Sequence, residues 1–283
     1  MKKDITKYIE FDDLDLELFI CSDILKLKSL HYGYWEDDEE LTLDNVRKAQ
    51  SRYTNELIKA IPVGVADILD VGCGIGDNAR ALAGNGFRVT ALSPDKNHAK
   101  YFENGNGHSI AFHNQRFEEF QAKQKFDLIL MSESQNYFEA KIAFKRCLDL
   151  LDPGGHLLIC GMFRKHETSV FKHVRNVENE FIDTAASHGL HLKNHLDITD
   201  RVLPTLKFAN QAHREYLEPS FALLNYYLRQ TSPWKLRLLK FFCGKELNNF
   251  EKIYKYYHEF FNPTLFKQHV RYLTLLFTLN ETE

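Results

Sequence analysis

The sequence lacks the features that mark membrane, secreted and nucleic-acid-binding proteins. None of its apolar runs approaches the roughly 20 residues that span a bilayer. The sequence has 36 Lys and Arg residues and 39 Asp and Glu residues, which gives a net charge of −3. It therefore lacks the excess of basic residues that drives nucleic-acid binding. No apolar segment of a signal peptide follows Lys2 and Lys3. We therefore expect a cytoplasmic protein that does not bind nucleic acid.

Cysteine is also scarce. The five cysteines are odd in number and no two of them are separated by two residues, which argues against a disulfide framework or a zinc site and favours reduced thiols. The 13 histidines include one cluster with short spacing, His188, His191 and His195, but it crosses the helix end predicted at Gly189. We expect no metal.

The chain of 283 residues, 44% of them hydrophobic, is long enough to bury a large core, and we expect one domain with an elaboration. Between residues 65 and 199, short apolar strands alternate with helices. This alternation predicts an α/β fold in which helices cover both faces of a parallel sheet. Residues 13–60 have mainly helical periodicity, with an apolar face formed by Leu43, Val46, Tyr53, Leu57 and Ile61.

The alternation stops at residue 204, where aromatic-rich helical patterns begin, and the strand-like run 271–280 follows them. A helical insertion before the last strand is the simplest account. The stretch 233–242 within it is basic and amphipathic; we expect a solvated face there, with loose membrane contact as the alternative. The predicted divisions are an N-terminal helical segment, a core in two pieces and the insertion: 1–62, 63–203 with 268–283, and 204–267.

The stretch ILDVGCGIGD, residues 68–77, places three glycines at alternate positions after an apolar strand that ends at Asp70. Glycine lets a ligand lie against the backbone, and the following helix presents free N–H groups. A dinucleotide fingerprint would need glycine at Asp77, and no Gly-Lys-Ser/Thr of a phosphate loop follows. The pattern suits a ligand with a cationic amine and no pyrophosphate; a tight turn without a ligand is the alternative.

The same stretch, LDVGCGIG at 69–76, resembles the first motif of the class I S-adenosylmethionine-dependent methyltransferases, and the resemblance covers about residues 53–199. It implies a Rossmann-like seven-stranded sheet in the order 3-2-1-4-5-7-6, with the last strand antiparallel. It also implies S-adenosylmethionine as the cofactor. The cofactor-binding residues that follow from the resemblance are Tyr34, Asp70, Gly72, Gly74, Gly76, Ser93, Pro94, Arg116, Phe117 and Met131.

Two of these positions depart from the family pattern. Ser93 stands where the family usually has an acid for the ribose hydroxyls, and Asp95 is a substitute two residues on. The family's Gly-Asp-Ala before the adenine contact reads Gln115-Arg116-Phe117 here. Adenine recognition would then depend on backbone groups and on the Phe117 ring.

Acceptor chemistry should lie at the carboxyl ends of the strands, where open α/β sheets bind ligands. The segment MSESQNYF, residues 131–138, is similar to the S-x-E-S-x-x-H segment of the methyltransferases related to tocopherol and cyclopropane fatty-acid enzymes. Glu133 and Ser134 match, and Tyr137 replaces the histidine. This resemblance makes Glu133 and Tyr137 candidates for contact with the acceptor. The alternative is a helix N-cap by Ser132 or Ser134 with an incidental Glu.

The segment HYGYW, residues 31–35, resembles an H-x-G-Y/F-W/Y segment of the same subgroup. Its aromatic rings would close over the sulfonium end of the cofactor, since aromatic faces favour positive charge. The alternative is a hydrophobic patch that packs the N-terminal helices on the core. His31 is a second candidate base, because the pKa of histidine lies near working pH.

Together these patterns predict methyl transfer to a small, largely apolar or aromatic acceptor at O, N or C, under a hydrophobic lid at 204–267. Proximity and orientation would supply most of the catalysis, because the cofactor already carries its leaving group. Two alternatives stay open: a lipid-chain-modifying enzyme of the cyclopropane type, and a cofactor-binding protein that has lost turnover. The sequence does not indicate the oligomeric state.

Overall fold

A computed structural model describes residues 18–102, 110–231, 234 and 260–280. Its seven strands form one sheet in the order β3-β2-β1-β4-β5-β7-β6. Strands β1 to β5 pair in parallel, whereas β7 runs antiparallel to both β5 and β6. The predicted fold class and strand order are therefore confirmed. The strands are β1 (Asp67–Val71), β2 (Arg88–Leu92), β3 (Ile110–His113), β4 (Phe126–Ser132), β5 (Leu151–Arg164), β6 (Leu190–Asp197) and β7 (Val270–Leu279).

Helices cover both faces of this sheet, which is why β1 and β4 are almost continuously apolar and buried. Side chains of β1, β2, β4, β5 and β7 divide between two separate hydrophobic clusters. One cluster packs against the helices that contain Phe144 and Phe181, the other against the helices that contain Leu57 and Leu82. The helices are α1 (Leu43–Lys59), α2 (Asp77–Gly84), α3 (Ala140–Leu150), α4 (Glu178–Ser187), α5 (Thr199–Ala212), α6 (Glu218–Thr231) and α7 (Pro263–His269).

The N-terminal segment departs from the predicted helix. The prediction is right for α1, where the Thr42 side chain accepts a hydrogen bond from Asn45 N, but it is wrong for residues 25–42, which contain no helix. Backbone N–H groups there bond to distant side chains: Tyr32 N donates to Glu133 Oε1 at 2.9 Å. Tertiary partners therefore override the helical periodicity. We call residues 29–35 the strap.

The strap is fastened to α1 and α5. The Trp35 side chain is 1% exposed, and its Nε1 donates to Thr205 Oγ1 at 2.9 Å. Gly33 N donates to the same hydroxyl at 3.1 Å. A Cβ at Gly33 would overlap the Ala49 side chain, so only glycine lets the strap lie this close to α1.

The helical insertion before the last strand is present in the described residues. Helix α5 runs through Pro204, a π-helical turn at His213–Leu217 joins it to α6, and α7 leads into β7. Most of the predicted aromatic helices, at 232–233 and 235–259, lie outside the described residues, as does most of the basic stretch 233–242. The division between core and lid stays a prediction. No helix within the described ranges is both long and apolar enough to cross a bilayer.

Thr205→Val should lower the free energy of unfolding by about 1–3 kcal/mol, because it leaves the buried Trp35 Nε1–H and Gly33 N–H without an acceptor. Urea denaturation measures this difference. Thr205→Ser keeps the hydroxyl and should stay closer to the wild type. A Thr205→Val variant as stable as the wild type would show that this anchor does not hold the strap.

Candidate functional site

The glycine loop that follows β1 has three left-handed residues: Gly72, Gly74 and Gly76 have φ values of 77°, 53° and 81°. Two of them are required by packing within the protein. A Cβ at Gly72 would overlap Ser134, and one at Gly76 would lie 2.5 Å from the Phe102 ring. Among the residues that the structure describes, a Cβ at Gly74 would meet only the Leu30 side chain, at 3.7 Å. Gly74 therefore faces open space that a ligand can occupy.

Asp70, at the end of β1, lies beside this loop and is 1% exposed. Its Oδ2 atom has no hydrogen-bond partner within the part of the chain that the structure describes. Burial, and next the charge of Asp77, raise the pKa of Asp70 to about 7. A buried carboxylate oxygen without a partner, close to an open backbone, is suited to a cationic group. These residues fit the amine of the cofactor implied by the sequence.

His31 of the strap lies over Asp77, the first residue of α2. The His31 Nε2 and Asp77 Oδ2 atoms are 2.8 Å apart, and His31 Nδ1 lies 2.7 Å from the carbonyl oxygen of Tyr32. Both ring nitrogens face acceptors, an arrangement that fits the protonated imidazolium. Burial lowers the pKa of His31, but the charge and hydrogen bond of Asp77, together with the charge of Glu133 and the Tyr32 carbonyl, outweigh it, so the pKa of His31 is raised. His31 thus has the geometry of a cation that fastens the strap; its role as a base stays a prediction.

Glu133 follows β4 directly and has a φ of 60°. A left-handed conformation is uncommon for residues other than glycine and costs about 1–3 kcal/mol. Glu133 N donates to Cys160 O at 2.7 Å. The side-chain Oε1 accepts hydrogen bonds from Tyr32 N, at 2.9 Å, and from the Tyr272 hydroxyl. The carboxylate is thus held at a strained position by contacts from the strap and from β7.

The helix N-cap alternative for this segment is right only in position. Ser134 stands at the N-cap of the short 3-10 helix Gln135–Tyr137, but its side chain does not cap the helix. The Ser134 hydroxyl donates instead to Val71 O, and Ser132 Oγ lies 3.0 Å from the Tyr53 hydroxyl. Both serines join β4 to neighbouring elements and leave Glu133 outside any capping role.

Other predicted site residues lie apart from Asp70, His31 and Glu133. Tyr137 is 78% exposed on its short helix, and Pro94 and Arg116 are exposed as well. Phe117 is buried, with its ring centroid 5.3 Å from that of Phe138, and Met131 belongs to the same core cluster. Their cofactor contacts stay predictions.

Ser93 is buried at the end of β2. Its hydroxyl lies 2.9 Å from His98 Nδ1 and accepts a hydrogen bond from Asp95 N at 3.2 Å. The Asp95 carboxylate in turn accepts from Asn97 N at 2.8 Å. Both predicted ribose ligands are therefore engaged in a local turn.

Tyr34 is half-buried, and its ring lies 5.8 Å from the guanidinium carbon of Arg201 on α5. Its backbone N donates to Ala49 O on α1 at 2.8 Å. The structure thus places Tyr34 between two helices of the core's outer layer.

Local sequence patterns do not identify three residues that lie around Glu133 and Asp70: Tyr53, Asp77 and Tyr272. In the sequence, Tyr53 stands on the apolar face of a helix, and Asp77 stands where a dinucleotide fingerprint would have glycine. Tyr272 stands within the run RYLTLLF, where a tyrosine reads as a buried β-former. The one available signal is a hydroxyl in a strand that is otherwise apolar, since a buried hydroxyl needs a partner.

Comparison with known proteins agrees with this geometry. A family model described as "Methyltransferase domain" matches residues 34–197, more than half of the chain. The 27-O-demethylrifamycin SV methyltransferase of Amycolatopsis mediterranei is 41% identical over 68 residues, which are 23% of this chain and 24% of that protein. The ubiquinone biosynthesis O-methyltransferase of Rickettsia felis is 27% identical over 143 residues, 48% of this chain and 57% of that protein. The chain thus spans about a quarter and somewhat over half of these relatives.

Solved structures share the fold. A mycolic acid cyclopropane synthase complexed with SAH and CTAB superposes with a TM-score of 0.66 and 16% identity, over 95% of this chain and 98% of that chain. At this level of identity the likeness shows the fold alone.

Asp70→Asn should raise the free energy of unfolding at pH 8 by up to about 4 kcal/mol, because it removes a charge that burial disfavours. The folded-state pKa of Asp70, about 7, lies above that of an unfolded Asp. The wild type therefore gains stability as the pH falls through 7, and the advantage of the variant should shrink by more than half at pH 5. Urea denaturation at both pH values tests this.

Asp67→Asn is the matched control. The hydrogen bond from Arg88 lowers the pKa of Asp67, so this variant should lose stability at pH 8. An Asp70→Asn variant that is destabilised equally at both pH values would contradict the unpaired state of Asp70.

Proposed function

Because the chain belongs to the methyltransferase domain family, we propose that it transfers a methyl group from S-adenosylmethionine to a small, largely apolar or aromatic acceptor. The observation that carries the proposal is the unpartnered, buried Oδ2 atom of Asp70 beside the open space at Gly74. A cationic amine that lies against a bare backbone satisfies both features.

The cofactor would be held by the glycine loop and Asp70. When bound, it supplies an electrophilic methyl group on a sulfonium. Asp70 would pair with the ammonium group and give up its proton to do so, since the pKa of the free carboxyl is about 7. Gly74 would leave room for the ligand, while Gly72 and Gly76 keep the loop in its left-handed course.

Glu133 is the group that we assign to the acceptor. Its carboxylate is held in place by Tyr32 N and the Tyr272 hydroxyl, at the carboxyl end of β4 where such sheets bind ligands. A positioned carboxylate favours an acceptor that must lose a proton, such as a hydroxyl group. We therefore favour oxygen as the acceptor atom, in agreement with the O-methyltransferase that matches half of the chain.

The acceptor's apolar frame would lie against an aromatic wall next to Glu133. We define this wall by Tyr32, Phe171, Phe260 and Phe266. Ring centroids are 6.4 Å apart for Tyr32 and Phe266, 5.8 Å for Phe266 and Phe171, and 6.4 Å for Phe171 and Phe260. Phe171, which has a φ of 55°, and Phe266 are buried in the core. The half-buried rings of Tyr32 and Phe260 would therefore be the stacking partners of an aromatic acceptor.

A second candidate is a cofactor-binding protein without turnover. The engaged Ser93 hydroxyl and the exposed tyrosine at the family's histidine position, Tyr137, favour it. Bound S-adenosylmethionine with no methyl transfer across an acceptor panel would support this candidate. New methylene groups in the lipids of an expressing strain would instead support a cyclopropane-type activity.

Gly74→Val should weaken S-adenosylhomocysteine binding about 100-fold or more, because the side chain fills the space left for the ligand. Isothermal titration calorimetry measures this. Gly64→Val is the matched control: Gly64 also has a positive φ, of 96°, and a Cβ there would have no described residue within 4 Å, but Gly64 lies outside the site. The affinity of Gly64→Val for S-adenosylhomocysteine should equal that of the wild type.

Wild-type affinity should also rise with pH through about 7, because Asp70 must lose a proton to pair with the ammonium. Absence of binding to the wild type at pH 8 would overturn the proposed function.

Glu133→Gln should lower kcat about 100-fold or more and leave the dissociation constant of S-adenosylhomocysteine unchanged, because the amide cannot accept the acceptor's proton. Transfer of labelled methyl from S-adenosylmethionine to a panel of phenols, catechols and quinols measures the rate. Glu139→Gln, at an exposed glutamate nearby, is the control. Wild-type turnover in Glu133→Gln would remove Glu133 from the acceptor site.

A further inference from the structure

We propose that Tyr272 on β7 is a positioning residue for Glu133, and that Tyr53 on α1 and Ser132 on β4 orient the Tyr272 hydroxyl. The inference deepens the proposed function, since it gives Glu133 a fixed place and charge state there. Its test, however, measures the titration of the Glu133 carboxyl group directly and needs no acceptor molecule.

The three hydroxyls form a chain that ends at the carboxylate. The Tyr272 hydroxyl contacts Glu133 Oε1 and lies 3.1 Å from the Tyr53 hydroxyl, which lies 3.0 Å from Ser132 Oγ. Each hydroxyl has one hydrogen. The Tyr272 hydroxyl lies within donating distance of both Glu133 Oε1 and the Tyr53 hydroxyl, and its one hydrogen goes to the ionised carboxylate because a charged acceptor forms the stronger bond. The Tyr53 hydroxyl is then placed to donate to Tyr272 and to accept from Ser132, an arrangement that runs from Ser132 to Glu133.

The two phenols are fully buried. Burial, together with the negative charge of Glu133, raises the pKa of Tyr53 and of Tyr272 well above the ordinary value. Both groups thus keep their protons throughout the working range and serve only as neutral partners. Tyr272 is a permanent donor to Glu133.

The number of donors decides the charge state of Glu133. Oε1 accepts from Tyr32 N and from Tyr272, and hydrogen bonds to a carboxylate favour its ionised form. Within the described residues, titratable groups that act on Glu133 also come from three other elements: His31 of the strap, Tyr53 of α1 and Cys160 of β5. His31 is the cation of these three, and it is held by Asp77. Loss of the Tyr272 hydroxyl should therefore let Glu133 take up a proton at higher pH.

If Tyr272 only packed against its neighbours, its hydroxyl would not affect the titration of Glu133. The Tyr272 ring lies 5.5 Å from the Tyr32 ring and 6.2 Å from the Tyr53 ring, centroid to centroid. Phenylalanine would keep these contacts and change no carboxyl titration. Tyr272→Phe thus separates the two roles with the loss of one oxygen atom.

The experiment is a carbon-13 NMR titration of the full chain, labelled at the glutamate side-chain carboxyl carbon. The Glu133 signal is assigned by its disappearance in Glu133→Gln. In Tyr272→Phe, its titration midpoint should move upward by about one pH unit. Tyr53→Phe, which removes only the partner of Tyr272, should move it in the same direction by less. Tyr216→Phe, at an exposed ring on the π-helical turn, should leave it unchanged.

An unchanged or lowered midpoint in Tyr272→Phe would overturn the proposal. If that variant does not fold, Tyr53→Phe decides the matter in the same way. Calorimetry with S-adenosylhomocysteine on the same samples separates this inference from the proposed function. A shifted midpoint without ligand binding by the wild type supports the positioning role and contradicts the proposed function. Ligand binding by the wild type with an unshifted midpoint in Tyr272→Phe supports the proposed function and contradicts the positioning role.

Discussion

The ion pair between His31 and Asp77 joins the strap to the glycine loop, and the polar site is assembled around this contact. His31 is followed by Tyr32, whose N–H holds Glu133, and Asp77 begins the helix that follows the glycines. His31 also stacks on Tyr53 with centroids 4.2 Å apart. A buried ion pair gains little net stability, because the desolvation of both charges offsets their attraction. Its contribution here is to place elements that are distant in sequence.

Three carboxylates lie in this region in three different environments. Asp77 faces a cation, and its pKa is lowered despite burial. Asp70 is buried with one oxygen unpartnered, and its pKa is raised. Glu133 is held by two neutral donors. Similar side chains thus differ in partners and in pKa because their surroundings differ, and the roles that we propose for Asp70 and Glu133 follow from these differences.

Local sequence patterns were sufficient for the sheet and for the glycine loop. The alternation of strands and helices predicted the α/β fold. The motif at 69–76 resembles the methyltransferase family, and this resemblance implied the strand order. Asp70 was identifiable because its chemistry depends on its immediate neighbours. The strap was not, since its backbone partners lie as far away as Thr205, 172 residues along the chain. The hydroxyl chain was hidden for the same reason, because Tyr272 and Glu133 are 139 residues apart and Tyr272 looks ordinary in its own segment.

The place of Tyr272 in the sheet also has a consequence for the order of assembly. Its strand, β7, is made last and lies between β5 and β6, so a nascent chain that already has both of those strands still has two unpaired edges facing each other. Insertion of β7 satisfies both edges at once. The same event delivers the phenol to Glu133. Closure of the sheet and the hydrogen bond from Tyr272 to Glu133 are therefore reached together, and a chain that lacks β7 has neither.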